Sequence, residues 1–156
     1  MTAALAACGP ASLGDPCGLG TRLPDLAAGH ASYSRDGVVH QSDEGGYKLD
    51  FPHDLVMGRL TLNAKLDDEG QPVKARIESG SFPICVPLDD QGDGSGYALL
   101  EDGSVSFSTT AQHSGTLSLL ALDGDLLLGR FAFDAVQNAG STTIQITDGA
   151  FRLKPR

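Results

Sequence analysis

From His30 onward the chain alternates apolar and polar residues and interrupts that alternation at short Asp-Gly steps. In GRLTLNAKL, Leu60, Leu62, Ala64 and Leu66 would share one face of an extended chain, and Arg59, Thr61, Asn63 and Lys65 the other. Successive strand side chains point to opposite faces, so this pattern predicts a strand packed on one side and wetted on the other. Beyond the DDEGQP loop, VKARIES reads the same way, with Val73, Ala75 and Ile77 set against Lys74, Arg76 and Glu78. Asp36-Gly37, Asp102-Gly103, Asp123-Gly124 and Asp148-Gly149 read as hairpin turns, because Asp and Gly tolerate the positive φ that tight turns demand. No segment sustains a 3.6-residue period. The expectation is an all-β fold, an antiparallel β-sandwich or β-barrel built from hairpins.

A chain of 156 residues is long enough to bury a core as one domain without metals. With 40% hydrophobic and 20% charged residues it belongs among globular chains rather than disordered ones. The formal charge of −9, from 11 basic and 20 acidic residues, argues against nucleic acid or an anionic membrane surface as partner. No run of 18 apolar residues codes a spanning helix. Residues 9–29, GPASLGDPCGLGTRLPDLAAG, are punctuated by Gly and Pro throughout and read as a tether. Residues 1–29 are therefore expected to stand apart, with 9–29 as a tether, and residues 30–156 to form a single antiparallel β-domain.

Two stretches match when set side by side, residues 58–82 and 129–151. Gly58, Arg59, Leu60, Leu62 and Ala64 align with Gly129, Arg130, Phe131, Phe133 and Ala135; Ile77, Gly80 and Phe82 align with Ile146, Gly149 and Phe151. A third partial copy, GTLSLLAL, starts at Gly115. The repeated unit reads as a hairpin, with Gly allowing a kink or bulge and the following Phe plugging the core. In LSLLALDGDLLLGRFAF, leucines on both strand faces imply burial on both sides or a face that waits for a partner, burial being the preferred reading, and Gly129 is a place where the strand phase can shift.

Side chains able to do chemistry are sparse. If Asp36-Gly37 closes a two-residue hairpin, Tyr33 faces His40 and His30 faces Asp43, and a His–Asp pair can orient a base. No G-x-S-x-G elbow accompanies it, and no cysteine sits in a nucleophile motif. Neither H-E-x-x-H nor C-x-x-C marks zinc. The best candidate for a metal is calcium at Asp89, Asp90 and Asp93 in LDDQGDGSGY, an oxygen-rich loop without the ligand ladder of an EF-hand, and its simpler reading is a solvated acidic loop. No phosphate-cradling loop is present, and no cofactor is expected.

Leu5-Ala6-Ala7-Cys8 resembles a bacterial lipobox, the Leu-small-small-Cys pattern at which lipoprotein signal peptides are cut. The resemblance implies that Cys8 is the lipidated first residue of the mature chain, and that a basic, longer apolar signal lies upstream of the short MTAALAA. It also implies that Cys17 and Cys85, the two cysteines left over, pair as a disulfide. Gly9, following the lipidated cysteine, is compatible with the outer membrane. The stretch GRFAFDAVQNAGSTTIQITDGAFRL is similar to the ending of small bacterial lipoproteins of uncharacterised function, with the shape G-x-F-x-F-x-A … I-T-x-G-x-F. That motif describes a hairpin and carries no activity.

The resulting expectation is a lipid-anchored β-domain of the bacterial cell envelope, periplasmic or on the outer membrane, with a non-catalytic binding or structural role. Its membrane contact would run through the N-terminal lipid, and its partner would be a protein or a small apolar ligand. Two alternatives stand beside it. One is a carrier of small apolar ligands with a barrel cavity, suggested by the Leu-rich hairpin. The other is a hydrolase using the His30–Asp43 neighbourhood.

Overall fold

The structure, a computed structural model, describes residues 15–50, 53–91 and 96–156. Eleven strands run in chain order: β1 (His30–Arg35), β2 (Val38–Ser42), β3 (Gly46–Tyr47), β4 (Asp54–Met57), β5 (Leu60–Asn63), β6 (Ile84–Leu88), β7 (Tyr97–Asp102), β8 (Val105–Ser108), β9 (Gly115–Asp123), β10 (Leu126–Gln137) and β11 (Thr143–Pro155). One short helix, α1 (Val73–Glu78), lies between β5 and β6. The all-β expectation holds.

The strands form one sheet in the order β2-β1-β11-β3-β4-β5-β7-β8-β10-β9-β6, and β10 also pairs with β11. That extra pairing closes β11, β3, β4, β5, β7, β8 and β10 into a ring. The two longest strands make this possible by sharing their edges. Along one edge β10 pairs first with β9 and then, at Val136 and Gln137, with β8. One edge of β11 takes β1 and then, at Lys154 and Pro155, β3. The β11–β3 pairing is parallel, so the sheet is mixed rather than purely antiparallel as expected. The ring's interior is a single core in which Leu55, Leu60, Leu62, Ile84, Leu117, Leu119, Phe131, Ile146, Phe151 and Leu153 are almost wholly withdrawn from solvent.

Inward-facing residues follow the period of two. On β10, Leu127, Phe131, Phe133 and Ala135 are buried at alternate positions. Gly129 continues the same inward row and leaves room for Phe151, its partner on β11. The register slip expected near Gly129 occurs between Leu128 and Gly129, but the extra residue is Leu120 on β9, and β10 keeps its phase. Leu128 therefore points outward and is still buried, outside the main core. On that outer face Arg130 Nε donates to the Arg22 carbonyl, and Arg152 donates to the Leu26 carbonyl. Residues 15–29 carry no named strand, yet they lie on this face with Pro24 and Gly29 buried.

Two sequence expectations are corrected. The segment Val73–Glu78 is helix α1 and not the return strand of a hairpin. Val73 and Ile77, four residues apart, are buried on one helical face, whereas Ala75, which a strand would have buried with them, is exposed. Pro72 stands just before the helix, where its missing N–H is no loss. Gly80, at φ +70, ends it. The Gly80 N–H bonds the Ile77 carbonyl and the Ser81 N–H bonds the Arg76 carbonyl, the paired bonds of a Schellman cap. The matched Gly and Phe positions thus do different work in the two stretches: residues 58–82 form a turn, a strand and a helix, and residues 129–151 form the β10–β11 hairpin.

Asp148-Gly149 is not a turn either. It lies within β11, where Asp148 adopts φ +53 and the register slips against both β1 and β10. Asp tolerates the left-handed region, so the chain inserts one residue as a bulge and continues. The other Asp-Gly steps do mark hairpins. Asp36 and Gly37, both at positive φ, close β1–β2. Asp123 and Asp102 are the last paired residues before the two-residue turns of β9–β10 and β7–β8.

Candidate functional site

Three hairpin ends converge at one side of the ring and frame a cleft of about 430 Å³. The β1–β2 hairpin supplies Tyr33, Arg35, His40 and Gln41, followed by Ser42, Asp43 and Glu44. The β4–β5 turn supplies Met57, Gly58 and Arg59, and the end of β7 supplies Leu100, Glu101 and Asp102. Buried Tyr33, Met57 and Leu100 make an apolar floor, and the charged groups stand around the rim.

Asp102 organises that rim. Its carboxylate accepts from Arg35 at 2.8 Å and from Arg59 at 3.5 Å. The hydrogen bond and charge of Arg35 hold the Asp102 carboxyl below its ordinary range against the opposing effect of burial, and Arg59 and His40 add lesser contributions in the same direction. Arg35 is the better fixed of the two cations: its side chain is 24% exposed against 71% for Arg59, and its guanidinium sits 5.1 Å above the Phe107 ring. Arg59 keeps donors turned to solvent.

Tyr33 and His40 are opposite each other across β1–β2, as the two-residue turn requires, and their rings stack at 5.5 Å. Tyr33 also packs at 6.1 Å from Phe131, which ties the cleft floor to the core. Burial pushes the Tyr33 hydroxyl above its ordinary pKa, with Arg35 and Arg59 opposing. The last cross-strand pair of this hairpin is Ala31 with Ser42, so its register runs on towards His30 and Asp43, while the other edge of β1 pairs His30 with Arg152; no hydrogen bond or ion pair joins His30 to Asp43 among the described residues.

Cys17 and Cys85 form a disulfide with Cα atoms 5.3 Å apart, closing a separation of 68 residues. It fixes the start of residues 15–29 to β6. Beside it, the Asp68 N–H donates to the Cys85 carbonyl. The neighbouring Asp67 is fully buried and accepts from the backbone N–H groups of Glu69 and Gln71 and from Arg76 of α1. Arg76 also reaches the Ser81 carbonyl. The disulfide, the loop and the helix are therefore one joined corner.

Of the calcium candidates, Asp89 and Asp90 follow β6 with both N–H groups on the Gly96 carbonyl, and Asp93 lies outside the described residues. No group of three His, Cys, Asp or Glu side chains is placed to share a metal among the described residues. Cys8 also lies outside the described residues. No helix among those residues is long and apolar enough to cross a membrane.

Sequence reading missed Arg35, Arg59 and Asp102 as a group. Each flanks a turn and reads singly as hairpin polarity, and only the sheet order brings the three ends together. No protein-family model matches the chain, and neither the curated proteins nor the solved structures contain a match to it.

Proposed function

We propose that this protein is an exported β-domain, lipid-anchored at Cys8 to the bacterial cell envelope, with a non-catalytic binding role exercised at the cleft between the β1–β2, β4–β5 and β7–β8 hairpin ends. The observation that carries the reading is the Cys17–Cys85 disulfide. Such a bridge persists in an oxidising compartment and is rare in a reducing one. Pairing these two leaves Cys8, within its lipobox-like stretch, as the third cysteine of the chain. The segment after Cys8 is then fastened to the body, so an anchor there would hold the whole domain near a membrane.

The cleft favours a polar ligand over an apolar one. Its rim carries Arg35, Arg59, Asp43, Glu44, Glu101 and Asp102, and the ring's interior is filled by Phe131, Phe133, Phe151 and leucines. The apolar-carrier reading calls for a cavity inside the barrel, and the core side chains occupy that interior. A hydrolase reading would need His30 oriented as a base by Asp43, and no hydrogen bond joins the two among the described residues.

The test is expression in a Gram-negative host with a lipoprotein signal peptide joined upstream, followed by metabolic labelling with a palmitate analogue. Label in the membrane fraction that disappears in Cys8→Ala supports the anchor. An unlabelled, unprocessed chain overturns it.

A further inference from the structure

Strand β2 lies at the end of the sheet order and pairs only with β1 among the described residues. Exposed edges are normally guarded by lysine, proline or a bulge, because their free N–H and C=O groups recruit other chains. Strand β2, VVHQS, has none of these guards. Its register with β1 is continuous, and Val38 and Val39 are 62% and 63% exposed. These valines are β-branched and sit on opposite faces of the strand, so both faces offer apolar contact to an added strand.

The charges flanking β2 in sequence are acidic. Asp36 lies in the turn before β2, and Asp43 and Glu44 follow it. None of the three has a cationic partner among the described residues; Asp36 accepts only from the Gln145 backbone N–H. Glu101 lines the same cleft as Asp43 and Glu44. The two cations of the cleft, Arg35 and the more exposed Arg59, both lie against Asp102, which leaves Asp43, Glu44 and Glu101 as its carboxylates without an ion pair among the described residues. A second copy is a poor occupant. Two β2 strands paired about a two-fold axis at His40 would place Asp36 of each copy against Glu44 of the other, between chains that each carry a formal charge of −9.

We infer that β2 is a strand-addition site for an extended, cationic polypeptide segment, whose backbone pairs with the outer edge of Val38–Ser42 and whose Lys or Arg side chains reach Asp43, Glu44 and Glu101 at the cleft. Alternate residues of an added strand point to one face. On the cleft side they would follow Val38, His40 and Ser42, the β2 residues opposite Arg35, Tyr33 and Ala31. Backbone pairing supplies affinity, and the carboxylates choose the sign of the partner.

The experiment titrates the full chain with an alternating Lys-Val octapeptide, its Glu-Val counterpart, and the Lys-Val peptide N-methylated at every second amide. Fluorescence anisotropy reads binding, and sedimentation reads self-association. Saturable binding of the Lys-Val peptide is expected, at least about tenfold weaker for the Glu-Val or N-methylated peptide. The V38K/V39K double variant, altered only at exposed positions, should keep its circular dichroism spectrum and lose the peptide. Absence of binding overturns the inference. So does equal binding of the N-methylated peptide, which would mean charge attraction without strand addition. Concentration-dependent dimers abolished by V38K/V39K would also overturn it, assigning the edge to a second copy.

Discussion

Phe131 of β10 lies over Gly149, its cross-strand partner on β11, and Phe151 of β11 lies over Gly129 in return. A Cβ on Gly149 would sit 2.5 Å from the Phe131 ring, and one on Gly129 would sit 2.5 Å from the tip of Phe151. The two rings also pack against each other at 6.1 Å. Each glycine is thus a slot for the other strand's ring, which gives a physical reason for the G-R-F and G-A-F stretches. Gly149→Ala should cost about 1–3 kcal/mol by overpacking, and Phe131→Ala about 3–5 kcal/mol by leaving a cavity. Denaturant midpoints of the double mutant should show coupling, because alanine at Gly149 loses its clash once the ring is gone. Additive effects would mean that the ring does not occupy the glycine's space.

Asp67 is a buried carboxylate held by Arg76 and two backbone N–H groups. Burial alone would raise its pKa. The hydrogen bonds from Arg76, Gln71 and Glu69 and the charge of Arg76 outweigh burial and hold it below the ordinary carboxylate value. A folded-state pKa lower than the unfolded one adds stability that is present above the unfolded value and is lost as pH falls through the folded value. Asp67→Asn should therefore cost about 3 kcal/mol near neutrality, and the deficit should shrink as pH drops below about 4. Thermal melts of both proteins across pH 2.5–7 check this; curves that stay parallel would contradict it.

The disulfide closes 68 residues of chain, so removing it should cost about 4 kcal/mol in the loop-entropy account. Residues 15–29 would then depend on the Arg130 and Arg152 bonds to Arg22 and Leu26, both part-exposed or exposed. Trypsin cleavage after Arg22 should accelerate on reduction or in Cys17→Ser, with the β-domain surviving as a fragment. Unchanged cleavage would show that the disulfide is not what holds this segment.

At the cleft, Arg35 and Arg59 touch the same carboxylate unequally. Replacing Arg35 with Met should raise the Asp102 pKa more than Arg59→Met does, because the 2.8 Å hydrogen bond of Arg35 is the main cause of the depression. Carboxyl-carbon NMR titration of the three proteins reads the order directly. An equal or reversed order would remove Arg35 as the organiser of the rim.

The fold class was legible because period-two alternation survives in β5, β10 and β11 whatever their neighbours are. The Tyr33–His40 pairing was legible because a two-residue turn sets register locally. Helix α1 was misread because over a six-residue span Val73, Ala75 and Ile77 fit a strand, and Val73 and Ile77 fit a helix equally well. Pro72 before it and Gly80 after it were the available signal, the start and stop of a capped helix. Asp148-Gly149 was misread because a left-handed Asp serves a bulge as well as a turn. The Arg35–Asp102–Arg59 rim could not be read at all, since it joins residues 67 and 43 positions apart through a sheet order that alternation does not encode.

The most direct measurement is intact-mass and non-reducing peptide mass spectrometry on the protein isolated from the membrane fraction of cells expressing it behind a lipoprotein signal. The expected result is a chain that begins at a lipid-modified Cys8 and yields a disulfide-linked peptide joining Cys17 to Cys85. A chain retaining residues before Cys8, with all three cysteines as free thiols, would contradict it.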